Sequence, residues 1–341
     1  MSIRSSQIAL AIAAAIGCLL AAGPALAKDY CKSTASFQFT ACQNEVRDTF
    51  YTATAICTNL SDKEERSECS KEASDERKEG NQVCREQRSA RRELCQALGG
   101  DRYDPDFDPD DFDEDFTDLT HPNPYFPLAI ANHWDYVGGD ETVAVEVLDE
   151  TKLIEGVTCI VVNDRVKQDG EVVEDTDDWF GQRKNGTVDY CGELSREFES
   201  FEGDDPELPE LVSLEGSFKV GRGAQPGTLF LGTPVVGRVY RQEWFPGVAE
   251  DAAEVLSTSY GFGSGNQKLD EFVPQDLAEH LCSNDDCVVT GEFSPLSPDS
   301  FERKYYARGI GFFLEVHPDS GEILQLVDCN FHMKCGALPE P

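Results

Sequence analysis

Residues 57–69 read Cys57-Thr-Asn-Leu-Ser-Asp-Lys-Glu-Glu-Arg-Ser-Glu-Cys69, and the first six cysteines that follow residue 27 are spaced symmetrically about the centre of this stretch. The separations between successive cysteines are 11, 15, 12, 15 and 11 residues. Separations of 11 and 15 residues are close to whole numbers of α-helical turns, so the cysteines of each arm share one helix face. The spacing therefore predicts two antiparallel helices over residues 28–100, joined by three disulfides: Cys31–Cys95, Cys42–Cys84 and Cys57–Cys69.

The centre of this stretch also carries the signal of a helix start. Ser61 followed by Glu64 matches a capping box, which predicts Ser61 as the N-cap of the second helix and a turn near Lys63. Gly99-Gly100 predicts where that helix stops. The second arm has few large apolar residues, so disulfides, each contributing about 2–4 kcal/mol, are expected to replace a hydrophobic core.

The first 27 residues have the layout of a cleavable secretory signal. Arg4 precedes an apolar run over residues 8–22, and Ala25-Leu26-Ala27 precedes Lys28. A rival interpretation makes Cys18 a lipidated cysteine, but the apolar run continues beyond it. Cleavage leaves twelve of the thirteen cysteines, which predicts six disulfides in an exported, periplasmic or extracellular protein. No later stretch is apolar for long enough to be a transmembrane helix.

The acidic residues are concentrated in the second part of the chain. The net charge is −36; residues 28–100 hold 12 Lys and Arg against 13 Asp and Glu, whereas residues 101–341 hold 16 against 52. Such a charge repels nucleic acid and anionic membranes and favours solubility, cations or basic partners.

Residues 101–120 form an acidic linker in which carboxylates alternate with Phe107, Phe112 and Phe116. One interpretation is an extended, solvated tether whose phenylalanines dock on the next domain. The alternative is a calcium site, because closely spaced carboxylates are hard oxygen ligands. Its candidate ligands are Asp104, Asp106, Asp108, Asp110, Asp111, Asp113 and Asp115. An EF-hand is disfavoured, because Pro109 occupies the position that requires glycine.

Residues 121–341 are expected to form an antiparallel β domain. Short runs of alternating apolar residues, such as 142–148 and 157–166, are separated by turn signals at Asp169-Gly170 and Asn185-Gly186. Further strands are expected at 171–180, 186–191, 236–244, 287–293, 301–306, 311–316 and 321–327. With one short helix near 275–281, the domain is predicted to be a β-sandwich or an open curved β-barrel, and the whole chain α+β.

The β domain contains the remaining six cysteines. Local pairing predicts the disulfides Cys159–Cys191, Cys282–Cys287 and Cys329–Cys335. Two clusters also have the residue types of a zinc or copper site: His280 with Cys282 and Cys287, and His332 with Cys329 and Cys335. An oxidising compartment favours the disulfides.

The start of the β domain reads His121-Pro-Asn-Pro-Tyr-Phe-Pro-Leu128, followed by Trp134-Asp-Tyr136 and by Gly-Val-Thr-Cys-Ile-Val-Val-Asn-Asp over residues 156–164. These motifs resemble those of a group of secreted bacterial proteins to which no activity has been assigned. The resemblance spans roughly residues 121–328, although Ala131-Asn132-His133 stands where members commonly have Pro-Gly-Thr. It implies export and a β domain, and it transfers no catalytic residue.

No catalytic motif stands out. The five histidines are scattered, and the abundance of carboxylates after residue 100 makes any one pair uninformative. The expected function is therefore a non-enzymatic secreted or envelope protein, in which the hairpin is a spacer and the acidic β domain binds a cation, a basic protein or a hydrophobic ligand. The alternatives are a secreted hydrolase that uses carboxylates of the β domain, and calcium-dependent adhesion or folding through the linker.

Overall fold

The computed structural model describes residues 29–341; the predicted signal segment, with Cys18, lies outside this range. Two long helices form the N-terminal hairpin: α1 (Tyr30–Asn59) and α2 (Lys63–Leu98). The Cα atoms of the three cysteine pairs of the hairpin are 5.5–5.7 Å apart. The three expected pairings, Cys31–Cys95, Cys42–Cys84 and Cys57–Cys69, are confirmed. Among residues 29–341, no helix is both long and apolar enough to cross a membrane.

The prediction of Ser61 as the N-cap of α2 is wrong by one residue. The side chain of Asp62 caps the helix and accepts hydrogen bonds from the backbone N–H groups of Glu64 and Glu65, at 2.7 and 3.0 Å. Asp62 also places a negative charge at the positive end of the helix dipole. The predicted end is confirmed, since Gly99 is the C-cap residue with φ = 90°.

Asp62 and its neighbour Ser61 provide a matched pair of substitutions. Asp62→Ala is expected to lower the free energy of unfolding of the hairpin, because two backbone donors lose their acceptor. Ser61→Ala is expected to change it by less than about 0.5 kcal/mol. Urea denaturation followed by far-UV circular dichroism measures both. A larger loss for Ser61→Ala than for Asp62→Ala would show that Ser61 caps the helix, as the capping box predicts.

The rest of the chain forms an antiparallel sheet of 15 strands and one short helix, α3 (Gln275–Leu281). The strands are β1 (His133–Gly138), β2 (Glu141–Ile154), β3 (Val157–Gln168), β4 (Glu171–Gln182), β5 (Val188–Leu194), β6 (Glu197–Glu199), β7 (Glu210–Ser213), β8 (Phe218–Lys219), β9 (Gly227–Phe230), β10 (Val239–Arg241), β11 (Ala252–Tyr260), β12 (Cys287–Ser294), β13 (Ser297–Ala307), β14 (Gly311–Val316) and β15 (Ile323–Cys329).

The sheet consists of two meanders. Strands β1–β5 and strands β10–β15 each pair with their chain neighbours, and β15 joins the two meanders by pairing with β1. Strands β8 and β9 pair with β5, β6 pairs with β4, and β7 pairs with β6. The sheet is not closed, although an isolated bridge between Gln225 and Trp244 links its two edges. Of the two architectures expected, the single sheet matches the open curved barrel.

The strand predictions were correct where hydrophobic alternation is bounded by a tight turn. Asp169 and Gly170 both have positive φ and connect β3 to β4, as a two-residue hairpin turn requires. The expected strand over 236–244 is wrong in extent, because β10 ends at Arg241. The backbone N–H groups of Gln242 and Glu243 both turn to the carbonyl oxygen of Asp251.

Segment 261–286, which includes α3, covers the outer face of β12–β14. Tyr305 is fully buried there and donates a hydrogen bond to the carbonyl oxygen of Leu269 at 2.7 Å. Arg303, on the same face, donates to the carbonyl oxygens of Lys268 and Glu271. Because side chains alternate along a strand, Lys304 and Tyr306 of β13 point to the opposite, inner face.

The hairpin is fixed to the β domain by a buried ion pair. The guanidinium group of Arg91 on α2 donates to both carboxylate oxygens of Glu250, at 2.8 and 2.9 Å. The side chains of Arg91 and Glu250 are 5% and 0% exposed. Gln87 adds a hydrogen bond to the carbonyl oxygen of Leu296 at 3.0 Å. The hairpin is therefore anchored through the C-terminal half of α2.

The acidic linker runs along the β domain, with a single turn of 3-10 helix at Pro109–Asp111. Phe112 and Phe116 are 1% and 6% exposed, and Phe107 packs beside Phe112 with ring centroids 5.0 Å apart. The expected docking of the three phenylalanines on the next domain is confirmed.

Candidate functional site

The concave face of the sheet lines a half-open cavity of about 430 Å³. Side chains from both meanders meet across it: Asp178 of β4 and Tyr190 of β5 lie on one side, and Glu292 of β12 and Tyr306 of β13 on the other. Strands this far apart in the order of the sheet share one space only because the sheet curls on itself. The volume is in the range that holds a small organic ligand.

Much of the wall is apolar, because alternate residues of neighbouring strands point inward. The members of this apolar wall include Trp134, Tyr136, Val143, Val145, Val147, Val162, Phe180, Phe312 and Leu324. The polar tips of the two aromatic residues of β1 are satisfied by the backbone. Trp134 donates through Nε1 to the carbonyl oxygen of Ile310 at 2.8 Å, and the Tyr136 hydroxyl donates to that of Phe312 at 3.1 Å. The motif residues Trp134 and Tyr136 thus present ring surface to the cavity.

The segment before β1 forms another part of the wall. The Asn123 side chain accepts a hydrogen bond from the Tyr125 backbone N–H at 2.9 Å and donates to the carbonyl oxygen of Gly186 at 2.8 Å. This ties the segment to the β4–β5 turn and places Phe126 and Leu128 against the cavity.

The polar part of the same cavity is carboxylate-rich. Glu141, Asp164, Asp178, Glu292 and Glu315 line it, and Lys304 is the basic side chain among its lining residues. Within the described residues, Oδ1 of Asp164 is buried and has no hydrogen-bond partner. Burial, together with the nearby Glu174 carboxylate, raises the pKa of Asp164 to about 7. A buried carboxylate oxygen without a donor favours a ligand that supplies one.

Lys304 neutralises another part of this acidic wall. Its Nζ lies 2.8 Å from Glu302, 3.2 Å from Glu292 and 3.6 Å from Glu315. Burial opposes the charged ammonium, but these three carboxylates outweigh it and raise the pKa of Lys304 well above its ordinary value. Lys304 is therefore a fixed internal cation.

Glu302, Glu315 and His317 are the one group of described residues whose ligand atoms lie close enough together to hold a metal ion, all within 4.8 Å. Each already has a charged partner. His317 Nε2 lies 2.8 Å from Glu315, and Lys304 pairs with both glutamates. Burial works against the Glu315 carboxylate, but Lys304 and His317 hold its pKa at about 2. The arrangement is explained as an ion-pair network.

Two acidic side chains, Asp178 and Glu193, contact the same hydroxyl group. The Tyr190 hydroxyl lies within hydrogen-bonding distance of Asp178 Oδ1 and of Glu193 Oε2. Burial and the Glu193 carboxylate raise the pKa of Asp178 well above its ordinary value. Burial raises the pKa of Glu193 to about 7. The Tyr190 hydroxyl can donate its one proton to only one of the two carboxyl groups. The other carboxyl group is then expected to be protonated and to donate to the hydroxyl oxygen.

Glu292 also lines a second cavity, of about 460 Å³. Its acidic members are Glu193, Glu243, Asp251, Glu292 and Glu302, with Ser294, Ser297 and Ser300 nearby. Burial and the carboxylates of Asp251 and Glu193 raise the pKa of Glu243 well above its ordinary value. Carboxylates therefore line the second cavity as well as the polar part of the first.

The structure does not gather the seven candidate calcium ligands of the linker into a group of three or more converging carboxylates within the described residues. Asp113 is buried and accepts hydrogen bonds from the Thr120 backbone and hydroxyl groups, at 3.1 and 2.6 Å. Asp108 and Asp115 accept hydrogen bonds from Asp110 and Thr117, two residues further along the chain. The remaining four, Asp104, Asp106, Asp110 and Asp111, are exposed. Calcium binding by the linker stays a prediction.

The cysteine clusters of the β domain are disulfides. The bonds Cys159–Cys191, Cys282–Cys287 and Cys329–Cys335 form as expected. The alternative of zinc or copper ligation there is wrong, because no thiolate remains to bind a metal. His280 instead contacts the carbonyl oxygen of Lys334 at 2.9 Å.

Sequence reasoning missed the acids that line the cavities. One signal was present: Asp164 lies between Val162 and Val166 in an alternating strand, at a position that points inward with the valines. A carboxylate at an inward position of a strand indicates either a buried ion pair or a binding group.

No family model, curated protein or solved structure matches this chain.

Proposed function

We propose that the β domain binds a small ligand with an apolar body and a basic amino group, held inside the curved sheet. The observation that carries this proposal is the buried, unpartnered Oδ1 of Asp164 in the wall of an otherwise largely apolar cavity. An ammonium group satisfies that oxygen and offsets its charge, while an alkyl or aryl chain covers the apolar wall. The six disulfides, typical of an oxidising compartment, support a secreted or envelope protein.

In this proposal the hairpin is the support. It has few buried side chains apart from its cysteines, and its ion pair with Glu250 holds the segment that precedes Asp251. Gly247 donates its backbone N–H to the same carboxylate at 2.6 Å. The hairpin thus steadies the loop that carries Glu243 and Asp251.

Binding is a better-supported function than hydrolysis. A hydrolase that used Asp178 and Glu193 would need room between the two carboxyl groups for the scissile bond. The Tyr190 hydroxyl, within hydrogen-bonding distance of both carboxylates, lies in that space.

Octylamine is a suitable probe, because its chain fits a cavity of this size and its amine is charged at neutral pH. We expect octylamine to bind more tightly than octanol, which lacks the charge, and octanoate to bind weakest, because it adds a carboxylate to an acidic wall. Asp164→Asn should weaken octylamine binding by at least about tenfold, since it removes the charged acceptor without changing its size. Isothermal titration calorimetry measures each affinity.

The control variant is Asp328→Asn, which removes an exposed carboxylate from β15. It should leave octylamine affinity unchanged. Equal affinities for octylamine and octanoate, or an equal loss in both variants, would refute an ammonium site at Asp164.

A further inference from the structure

Exposed apolar side chains are concentrated on one short segment of the β domain. Of the fifteen large apolar residues that are exposed in the described part of the chain, five lie within positions 201–214 and are 42–60% exposed: Phe201, Leu208, Leu211, Val212 and Leu214. None of the five lines either cavity. Single exposed apolar residues need no explanation, but a concentration of them is typical of a surface that binds another molecule.

The same segment includes a free edge of the sheet. Within the described residues, β7 pairs with β6 and with no other strand, and three of its four residues are exposed. The outer side of such a strand presents backbone N–H and C=O groups that have no strand partner. Pro209 precedes β7, and the register with β6 shifts by one residue between Leu211 and Ser213. The edge of β7 can therefore pair with one short extended segment.

The charge of this segment indicates what kind of partner it binds. Residues 199–215 contain seven aspartates and glutamates and no lysine, arginine or histidine. A second copy of this chain that paired edge to edge would bring two such segments together, and their like charges oppose that contact. An anionic membrane is repelled for the same reason. A basic segment of another protein is attracted.

We propose that β7 binds an extended, basic segment of a partner protein, which joins the sheet as an added strand beside β7. Successive side chains of an added strand point to opposite faces, so the partner alternates apolar residues with lysine or arginine. Main-chain hydrogen bonds to β7 and contacts with Leu211 and Val212 hold the segment, and the surrounding carboxylates select a basic sequence. This interaction uses neither cavity and is independent of the proposed amine site.

The probe is a synthetic heptapeptide of alternating lysine and valine, titrated into the whole protein by isothermal titration calorimetry. A glutamate and valine heptapeptide is expected to bind at least about tenfold more weakly, because it adds carboxylates to an acidic surface. The lysine and valine peptide with N-methylated backbone amides keeps its charge and its apolar side chains but cannot donate to a strand. It should also bind at least about tenfold more weakly.

Two variants and one further measurement locate the bound peptide. Leu211→Ser should weaken binding of the unmodified lysine and valine peptide about five- to tenfold, because an apolar contact is lost. Val236→Ser is the matched control, since Val236 is 59% exposed in the loop between β9 and β10, and it should leave the affinity unchanged. Hydrogen exchange measured by mass spectrometry should slow over residues 208–214 when the peptide binds.

Four results would overturn this inference. They are no binding of the lysine and valine peptide at about 1 mM, equal affinity for its N-methylated form, an equal loss of affinity in both variants, and exchange that slows elsewhere but not over residues 208–214. Sedimentation that shows a dimer, with exchange over residues 208–214 slowing as the protein concentration rises, would assign the edge to a second copy instead. Octylamine binding is expected to be the same in Leu211→Ser as in the wild-type protein, so the two proposals fail separately.

Discussion

Replacing Arg91 with alanine is expected to lower the free energy of unfolding by about 3–5 kcal/mol, because it leaves the Glu250 carboxylate buried without its cationic partner. Both side chains of this pair are almost completely inaccessible to solvent. The cost therefore comes from a desolvated charge as well as from the lost hydrogen bonds. Urea denaturation of the whole chain, followed by tryptophan fluorescence, measures the loss.

The neighbouring Arg92→Ala is the matched control. Arg92 lies on the same helix but is exposed, so its removal should cost less than about 0.5 kcal/mol. The double variant Arg91→Met with Glu250→Gln should recover a large part of the loss, since neither charge then remains buried. Equal stabilities for Arg91→Ala and Arg92→Ala would show that the hairpin and the β domain are energetically independent.

Lowering the pH from about 8 to about 5.5 is expected to stabilise the ligand-free protein and to weaken amine binding. Burial together with the Glu174 carboxylate raises the pKa of Asp164 from 3.8 in the unfolded chain to about 7, and burial raises that of Glu193 from 4.5 to about 7. The folded state therefore binds these protons more tightly than the unfolded state. The free energy of unfolding rises as the pH falls through 7 and levels off near the unfolded pKa values.

Ligand affinity should change in the opposite direction, because protonated Asp164 no longer attracts an ammonium group. In Asp164→Asn the affinity for octylamine should vary less with pH, and the stabilisation on acidification should be smaller. Thermal unfolding of the free protein measures how its stability changes with pH. Calorimetric titrations at the same pH values measure how the affinity for octylamine changes. A fall in melting temperature between about pH 8 and about pH 6 would contradict the raised pKa values.

The hairpin could be predicted in detail because the spacing of its cysteines determines which of them can pair across two antiparallel helices. This pairing does not depend on the rest of the fold. Only one pairing of Cys31, Cys42 and Cys57 with the second arm keeps all partners level in an antiparallel hairpin. The cap was misplaced by one residue because Ser61 and Asp62 are both good N-cap residues. Local sequence does not decide between them; the Asp62 side chain is the one that reaches the N–H groups of Glu64 and Glu65.

The β domain was predicted as a class and as most of its strands, but the cavity was not. The curl of the sheet depends on the pairing of β15 with β1, which joins residues about 190 positions apart in sequence and leaves no local signal. Among the many acidic residues after position 100, those that line the cavity differ from solvating ones only in the direction of their side chains. For Asp164 the sequence indicates this direction, because Val162 and Val166 alternate with it along the strand. Glu243 lies next to a turn, where no such alternation indicates the direction of its side chain.

The most direct test of the account is a crystal structure of the protein grown with octylamine. We expect the amine nitrogen at about 3 Å from Asp164 Oδ1 and the alkyl chain against Trp134, Val143 and Phe312, within the curved sheet. Octylamine bound instead on the exposed apolar surface of the hairpin, where Phe37 is 76% exposed, with the interior of the sheet unoccupied, would contradict the proposed binding function.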